Sequence, residues 1–317
     1  MSTYQFFDLA PVLRTMREEV LESLLAPQKT LAPKYFYDER GSQLFDEITR
    51  LPEYYPTRTE TALFEAHSAE ISGHFNGAVT LIEYGSGSSR KIRALLEGMK
   101  PAAYVPLDIS GEHLETSAKT LQADYSWLNI YAVCADYSQD IALPEAIPRH
   151  QPMAFFPGSS IGNFAPTDAQ AFLRRVRALV GEQGKLLIGV DRKKDKRVLE
   201  SAYNDTAGVT AAFNLNVLTH LNRELEGNFD IAGFAHRAIY NEEIGSIQMF
   251  LESLVDQQVE LAGEHIEFAA NEQIHTENSY KYDPAQFAKL AAGAGWKEEL
   301  HLTDPQNYFS VFLLQAA

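Results

Sequence analysis

The chain has 317 residues, 45% of them hydrophobic and 22% charged, which is enough for one large or two smaller buried cores. The formal net charge of −16 argues against a nucleic-acid partner or an anionic membrane surface, because both require a basic patch. The single cysteine, Cys134, excludes an internal disulfide and favours a buried core thiol over a nucleophile. With no signal-peptide pattern and no run of roughly 18 apolar residues, we expect a cytoplasmic protein. We also expect a monomer, because no heptad pattern or large apolar face is evident in the sequence.

Aromatic and polar residues dominate two N-terminal stretches, residues 34–42 and 51–60. In the second stretch two prolines flank Tyr54 and Tyr55, which disfavours a plain helix or a central strand. Tyrosines in a rigid loop often line a pocket with their polar tips, but they also serve as structural clamps between domains. Both interpretations are open for Tyr54 and Tyr55.

A buried strand, a glycine turn and a helix follow one another over residues 79–99, in the order of a nucleotide-cofactor cradle. The turn is Glu83-Tyr84-Gly85-Ser86-Gly87, in which Gly85 and Gly87 allow the backbone to approach a ligand closely. Ser88 or Ser89 can then cap the helix. The third glycine of a dinucleotide motif is missing and Arg90 stands in its place, so the turn favours S-adenosylmethionine (SAM). A dinucleotide site and a plain strand–helix turn are the alternatives.

Acidic residues end the next two predicted strands. Asp108 ends the strand at 104–108, about twenty residues beyond the turn, where a carboxylate accepts hydrogen bonds from ribose hydroxyls. Asp136 and Tyr137 follow the strand at 128–135, where an acid and an aromatic ring suit the adenine amino group and ring face. Each acid alone fits a helix cap or a loop charge, but two acids at consecutive strand ends favour the cofactor site.

Strands and helices alternate from residue 79 to residue 191, which predicts a parallel, doubly wound α/β sheet. Residues 152–156 and 185–190 supply its fourth and fifth strands. Polar and glycine residues at 157–164, among them Asn163, follow the fourth strand and are expected to face the ligand crevice.

The pattern changes beyond residue 195. Residues 247–254 and 259–268 predict two antiparallel strands joined by a turn at 256–258, with Met249 on the same face as Ile247 and Leu251. The polar and aromatic cluster at 275–282 predicts a loop that can close over a pocket. A helix at 283–292 and strands at 296–302 and 308–314 follow. We predict an α/β core at 62–195 plus 285–317 and a second lobe at 1–61 plus 196–284.

Six stretches together resemble the family of histidine-specific N-alpha-methyltransferases of ergothioneine biosynthesis. They are residues 37–46, 51–60, 83–91, 156–163, 202–210 and 276–279. The resemblance extends over nearly the whole chain, and the combination is far more specific than any single motif. It implies a Rossmann-like class I SAM methyltransferase core with a second α+β lobe that binds the substrate. It also implies transfer of three methyl groups from SAM to the α-amine of free L-histidine, giving hercynine in the first step of ergothioneine biosynthesis.

The resemblance implies roles for individual residues. Asn163 and Tyr203 are similar to residues that hold the substrate carboxylate and amine, and Tyr54 or Tyr55 is expected to shape the carboxylate end. Glu277 and Ser279 are similar to the residues that bind the imidazole. The ring is also expected to meet Tyr37, in part through water, and Met249. The expected SAM contacts, including the motif residues, are Glu83, Gly85, Gly87, Lys91, Asp108, Asp136 and Tyr137.

The implied reaction needs neither a metal nor a covalent nucleophile, because the SAM sulfonium already activates the methyl group. The α-amine must lose a proton before it attacks. The pocket motifs contain no obvious histidine or lysine base, so we expect the proton to leave to solvent or through Tyr37 and Asn163, the two candidate catalytic residues. The alternatives are a methyltransferase of another amino acid or small amine, a nicotinamide-dependent oxidoreductase and a non-catalytic binding protein.

Overall fold

The computed structural model describes residues 2–9, 15–86, 90–137 and 139–317. They form two compact units. Unit 1 takes its described residues from Met1–Leu13, Pro56–Arg192 and Tyr282–Ala317, and unit 2 takes them from Arg14–Tyr55 and Lys193–Lys281. None of the described helices has the length and hydropathy needed to cross a membrane.

The bounds of the elements are as follows. The strands are β1 Tyr4–Asp8, β2 Thr80–Tyr84, β3 Ala103–Asp108, β4 Asn129–Cys134, β5 Pro152–Phe156, β6 Lys185–Asp191, β7 Phe234–Asn241, β8 Ser246–Ser253, β9 Gln257–Leu261, β10 Glu264–Phe268, β11 Gln273–Tyr280, β12 Trp296–Thr303 and β13 Phe309–Ala316. The α-helices are α1 Met16–Leu25, α2 Glu39–Ile48, α3 Tyr55–Gly73, α4 Arg90–Met99, α5 Gly111–Asp124, α6 Pro166–Val180, α7 Lys196–Tyr203, α8 Val209–Glu224 and α9 Pro284–Ala292. Short 3₁₀ helices cover Pro33–Phe36, Ser160–Asn163 and Ile231–Gly233.

Unit 1 is built on a sheet with the strand order β1-β4-β3-β2-β5-β6-β13-β12. The pairs from β1 to β6 are parallel, whereas β13 runs antiparallel to both β6 and β12. The strand order reverses between β2 and β5, and ligands of doubly wound sheets bind beyond the carboxyl ends of the strands at such a point. The predicted Rossmann-like α/β sheet is confirmed.

The middle of this sheet is buried on both faces. Every residue of β2 and β5 is buried, as expected for parallel strands covered by helices on either side. Phe64 of α3 packs edge-on against Phe155 of β5, with ring centroids 5.3 Å apart. This packing fixes the strand ends from which the candidate site residues project.

Unit 2 combines helices with two small sheets. One sheet has the order β11-β8-β7 and is antiparallel throughout, and β9 and β10 form a separate hairpin. Helix α8 contacts both α2 and β7. Burial alternates along β8, so one face of this strand is packed against the interior of the unit.

The predicted pairing of residues 247–254 with residues 259–268 is wrong. Strand β8 pairs with β7 and β11, while β9 and β10 pair with each other around Ala262 and Gly263. Both turn residues have positive φ, 51° and 83°, as a tight two-residue hairpin turn requires. Since the sequence there is Ala-Gly rather than Asn-Gly, the turn signal was weak. Strand β7 was not predicted.

Two predicted loops are regular elements. Residues of the 275–282 cluster form most of β11, which is held in the sheet by β8 and carries its polar side chains there. Tyr55 and Pro56 lie in the first turn of α3, where proline is tolerated because its missing N–H needs no helical partner. Pro56 therefore marks a helix start, whereas Pro52 lies in the bend that precedes the helix.

The predicted domain boundaries need correction at the N-terminus. Residues 1–61 were assigned to the second lobe, but β1 pairs in parallel with β4 and belongs to the sheet of unit 1. Unit 1 also begins again at Pro56 within α3 rather than at residue 62, and its other bounds are 192 and 282 rather than 195 and 285. A five-residue strand at the chain start has no helix-like periodicity, so it gave no signal in the sequence.

Candidate functional site

The glycine turn of unit 1 follows β2 directly. Gly85 has a φ of +69°, a conformation that favours glycine, and its N–H donates to the Leu107 carbonyl at 2.9 Å. A Cβ at Gly85 would lie 3.5 Å from the Tyr137 hydroxyl, so the backbone conformation rather than space selects glycine. Gly87, Ser88 and Ser89, to which a cofactor contact and a helix cap were assigned, lie outside the described residues.

Glu83, the acid of the glycine motif, is buried and accepts a hydrogen bond from the Tyr104 hydroxyl. Burial raises the pKa of Glu83 to about 8, against the opposing effects of the Tyr104 hydrogen bond and the Lys91 charge. Burial and the neighbouring Glu83 carboxyl likewise raise the pKa of Tyr104 well above its ordinary value. Glu83 is therefore mainly protonated at neutral pH. A protonated carboxyl suits a neutral hydrogen-bonding group at the strand end better than a charged group that binds a cofactor.

Lys91 of α4 forms an ion pair that the sequence did not predict. Its Nζ lies 2.6 Å from Oε2 of Glu60, which is fully buried in α3. The Gly158 N–H, just beyond β5, donates to both Glu60 carboxylate oxygens at 2.9 Å. A Cβ at Gly189 would come within 1.8 Å of Glu60 Oε1, so that glycine makes room for the carboxylate. Glu60 thus joins α4 to the loop after β5 within unit 1.

A signal for Glu60 was present in the sequence. Glu60, Leu63 and Phe64 share one face of α3 at helical spacing, and all three are buried. An acid on the apolar face of a helix is costly to bury unless it is paired. Its partners, however, lie far away in the chain.

The acids predicted at the ends of β3 and β4 flank one tyrosine. Asp108 accepts a hydrogen bond from the Ser110 N–H at 3.0 Å, a local contact of the turn that precedes α5. Burial raises the pKa of Tyr137 to about 12, and the negative charges of Asp108 and Asp136 add to this shift. The Tyr137 ring packs edge-on against Tyr84, with centroids 5.9 Å apart. The three predicted residues are thus brought together.

Asn163 is exposed at the end of the 3₁₀ helix Ser160–Asn163 in unit 1. The preceding Ser159 has a left-handed conformation, with φ of 57°, and its hydroxyl accepts a hydrogen bond from the Asp191 N–H at 2.8 Å. The loop after β5 is therefore anchored to the end of β6, as a binding loop at a strand end requires.

In unit 2, Tyr203, Ser279 and Lys281 form a closed triangle of hydrogen bonds. The Tyr203 hydroxyl donates to Ser279 Oγ at 2.9 Å. Lys281 Nζ donates to Ser279 Oγ at 2.8 Å and to the Tyr203 hydroxyl at 3.1 Å. All three residues are buried, and Lys281 is only 2% exposed. The structure therefore groups Tyr203 with Ser279, and it adds a lysine that the sequence analysis had not included.

Glu277 lies two residues before Ser279 on β11 and is directly opposite Met249 of β8 in the sheet register. Side chains of directly opposed residues lie on the same face, so this carboxyl and this thioether are neighbours. Burial raises the pKa of Glu277 to about 7, and the positive charge of Lys281 opposes the shift. The predicted ring-binding residues Glu277, Ser279 and Met249 thus share one sheet of unit 2.

The predicted tyrosines have different surroundings within unit 2. Tyr54 packs edge-on against Tyr203, with ring centroids 6.2 Å apart. Tyr55 accepts a hydrogen bond from Lys194 Nζ at 2.6 Å. Tyr37 is 47% exposed, and its ring meets those of Phe45 and Phe213, each with centroids 5.8 Å away. Tyr54 is thus joined to the Tyr203 triangle, whereas Tyr37 is half-exposed and rests on two phenylalanine rings.

The chain was compared with known proteins. A family model described as "Histidine-specific methyltransferase, SAM-dependent" matches residues 16–316. The histidine N-alpha-methyltransferase of Mycolicibacterium smegmatis is 40% identical over 304 residues, which cover 94% of this chain and 94% of that protein. The protein of the same name from Mycobacterium tuberculosis is 39% identical over 305 residues, with the same coverage of both chains. Ergothioneine biosynthesis protein 1 of Neurospora crassa is 33% identical over 285 residues, covering 86% of this chain and 32% of that protein.

Proposed function

We propose, from the premise that this chain belongs to the family of SAM-dependent histidine-specific methyltransferases, that it methylates the α-amine of free L-histidine. Three transfers convert the primary amine into the trimethylammonium group of hercynine, the first intermediate of ergothioneine biosynthesis. The observation that carries this proposal is the 40% identity to a histidine N-alpha-methyltransferase over 94% of both chains. That coverage includes both units.

Unit 1 has the Rossmann-like α/β core of a class I SAM methyltransferase. Its described strand ends suit SAM, because Gly85 keeps the turn after β2 open and Asp108 and Asp136 offer acceptors at the next two strand ends. SAM, when bound, supplies a methyl group already activated by the sulfonium. We propose cofactor contacts at Glu83, Gly85, Gly87, Lys91, Asp108, Asp136 and Tyr137.

Unit 2 supplies the proposed recognition of the imidazole. We propose that Glu277 accepts a hydrogen bond from a ring N–H and that the Ser279 hydroxyl meets the other ring nitrogen, with Met249 beside the ring and Tyr37 reaching it through water. Sites that hydrogen-bond a substrate discriminate strongly against analogues lacking the matching group, because buried polar groups are then left unpaired. Asn163 and Tyr203 are proposed to hold the carboxylate and the amine, and Tyr54 or Tyr55 to shape the carboxylate end.

The chemical task that remains is positioning and loss of a proton. The neutral amine nitrogen must approach the methyl carbon in line, at roughly 3–3.5 Å. Since an α-amine is largely protonated at neutral pH, one proton leaves before each attack on the unmethylated and partly methylated amine. We propose that these protons leave to solvent or through Tyr37 and Asn163.

The decisive experiment is incubation of the full chain with SAM and each of the twenty amino acids separately, followed by mass spectrometry. We expect histidine alone to gain one, two and finally three methyl groups. Methylation of a different amino acid would show that the substrate is another amine. Absence of product with every amine, despite SAM binding, would favour a non-catalytic binding protein, and binding of NAD instead of SAM would favour an oxidoreductase.

We also propose that the protein acts as a monomer in the cytoplasm, where free histidine and SAM are both available. Light scattering of the purified chain tests the first point, because a mass near 35.5 kDa is expected. Fractionation of the native cells tests the second.

A further inference from the structure

The hydrogen bonds around Ser279 determine which further hydrogen bond its hydroxyl can make. A serine oxygen has two acceptor lone pairs and one proton to donate. Lys281 Nζ occupies one lone pair at 2.8 Å, and the Tyr203 hydroxyl occupies the other at 2.9 Å. Ser279 is therefore saturated as an acceptor.

The direction of the bond between the two hydroxyls follows from their chemistry. Lys281 carries an ammonium group, which only donates, and it donates to both oxygens. A phenol is a stronger hydrogen-bond donor than an aliphatic alcohol, so Tyr203 gives its proton to Ser279. The Ser279 proton finds no acceptor among the hydrogen bonds of the described residues, and it is available to a ligand.

Glu277 supplies the complementary group two residues earlier on β11. Above its pKa of about 7, Glu277 is an ionised carboxylate, which only accepts hydrogen bonds. The sheet face around the two residues carries the titratable groups Glu277 of β11 and Lys281 just beyond its end, while β8 contributes the uncharged Met249. Strand β7 adds His236 and Tyr240 to the same face, and burial lowers the pKa of the His236 ring. Tyr203 comes from α7. Together Glu277 and Ser279 offer one acceptor and one donor.

We propose that Lys281 makes this site selective for the neutral form of the imidazole. The proposal rests on the proposed function, in which Glu277 and Ser279 contact the ring. A neutral imidazole has one N–H for Glu277 and one unprotonated nitrogen for the Ser279 proton. An imidazolium has two N–H groups, one of which would face a hydroxyl that cannot accept, close to the positive charge of Lys281. Lys281 is thus a specificity-determining residue that acts through Ser279.

The test compares two ligands whose rings differ in basicity. L-Histidine protonates with a ring pKa of about 6.5, whereas 2-fluoro-L-histidine stays neutral between pH 5.5 and pH 8. Calorimetry with the full chain, in the presence of S-adenosylhomocysteine, gives the ratio of the two affinities at each pH. Titration of the α-amine affects both ligands alike, and repeating the series in the Glu277→Gln chain removes the titrating carboxyl, so the ratio isolates the protonation of the ring. With a neutral-only site, the affinity for histidine relative to its analogue falls about tenfold from pH 8 to pH 5.5.

Two variants test the role of Lys281 in this preference. Lys281→Met frees a lone pair of Ser279 and removes the nearby charge, so the tenfold fall is expected to shrink to less than about threefold. Tyr203→Phe frees the other lone pair by an independent change and is expected to reduce the fall in the same direction. The matched control is Lys29→Met, which removes a lysine of unit 2 that is 12% exposed in its side chain and paired with Glu272 at 2.5 Å. The control should keep the wild-type fall.

The outcomes separate the two levels of the proposal. A pH-independent ratio in the wild-type chain would overturn the neutral-form selectivity, and a full tenfold fall in both the Lys281→Met and Tyr203→Phe chains would overturn the role of the triangle. Thermal melting of each variant identifies a chain that has not folded, and Tyr203→Phe then decides. If neither ligand binds to the wild-type chain, the proposed function itself fails, and this inference fails with it.

Discussion

Each unit places a lysine next to a carboxyl group, but the two arrangements differ. In unit 1, Lys91 bonds directly to the Glu60 carboxylate at 2.6 Å. In unit 2, Lys281 donates hydrogen bonds to two neutral hydroxyls, and its positive charge opposes the rise that burial causes in the pKa of Glu277. The first ammonium group faces a carboxylate, whereas the second donates to two hydroxyl oxygens, whose own protons must therefore point elsewhere.

This difference shows how one residue type can hold a carboxylate in one unit and fix the polarity of two hydroxyls in the other. A buried ion pair with added backbone donors is stable as a unit and strongly destabilising when one partner is removed. A buried ammonium on hydroxyls leaves those hydroxyls with a defined polarity, which a ligand must match. The predictions below break each arrangement in turn.

The largest effect is expected from Glu60→Gln, which removes the negative charge between Lys91 and the Gly158 N–H. The change should lower the free energy of unfolding by about 3 kcal/mol, because it leaves a partly buried ammonium without its counter-charge. Urea denaturation measures this. Asp124→Asn is the matched control, since it breaks the Arg93–Asp124 pair, whose side chains are 36% and 48% exposed. It should cost less than about 1 kcal/mol. Equal losses in the two variants would show that Glu60 is not a special partner.

The next effect concerns ligand binding in unit 2. Glu277→Ala removes the proposed acceptor of the imidazole N–H and should weaken histidine binding about a hundredfold, or ~2.7 kcal/mol, with little change in SAM binding. Glu277→Gln keeps a carbonyl acceptor and should fall between the alanine variant and the wild type. Calorimetry with each ligand separately provides both affinities. Similar losses for SAM and histidine would contradict the assignment of Glu277 to the ring.

The smallest effect, taken per pH unit, is a pH dependence of stability that distinguishes the buried Glu83 from the half-buried Glu277. The pKa of Glu83 is raised from 4.5 to about 8, so the folded state keeps a proton that the unfolded state loses. The associated stability is complete below pH 4.5 and disappears as pH rises through 8, with a slope of at most about 1.4 kcal/mol per pH unit. The raised pKa of Glu277 contributes stability in the same direction, but this contribution is lost as pH rises through about 7.

Replacing each acid with its amide tests these windows. Urea denaturation at several pH values should show a flatter stability profile up to pH 8 for Glu83→Gln and only up to pH 7 for Glu277→Gln. Profiles that remain parallel to the wild type would mean that the native acids are already ionised.

Features of unit 1 that depend on neighbouring residues were predicted from the sequence, whereas features that depend on distant partners were not. Strand β2, the turn at Gly85 and the acid at Asp108 follow from local patterns of burial and turn chemistry. Glu60 was not identified because the N–H that donates a hydrogen bond to it belongs to Gly158, 98 residues away. No local pattern reports such a pairing.

Unit 2 was harder to predict for the same physical reason. Its sheet joins β7, β8 and β11. The sequence pattern of β8 is equally consistent with pairing to the segment that follows it. The cluster at 275–282 was predicted to be a loop because polar residues are usually exposed to solvent. In the structure, side chains such as Thr276 and Ser279 instead hydrogen-bond to buried partners. Lys281 was not predicted because a lysine in a polar cluster is ordinarily exposed, and one of its two hydroxyl partners, Tyr203, lies 78 positions earlier in the chain. The resemblance implied roles for Glu277 and Ser279, but not for the lysine that donates to Ser279.

The spacing of Glu277, Ser279 and Lys281 has a consequence for how such an enzyme could diversify. Glu277 and Ser279 are alternate residues at the end of β11, so their side chains lie on one face, and Lys281 follows just beyond the strand and donates to Ser279. The backbone hydrogen bonds of the strand are made by atoms common to all residues. Point changes at these positions exchange donors, acceptors and charges without altering the strand register. Substitutions at these positions can therefore change which substrate such an enzyme recognises, while the SAM methyltransferase core of the other unit stays unchanged.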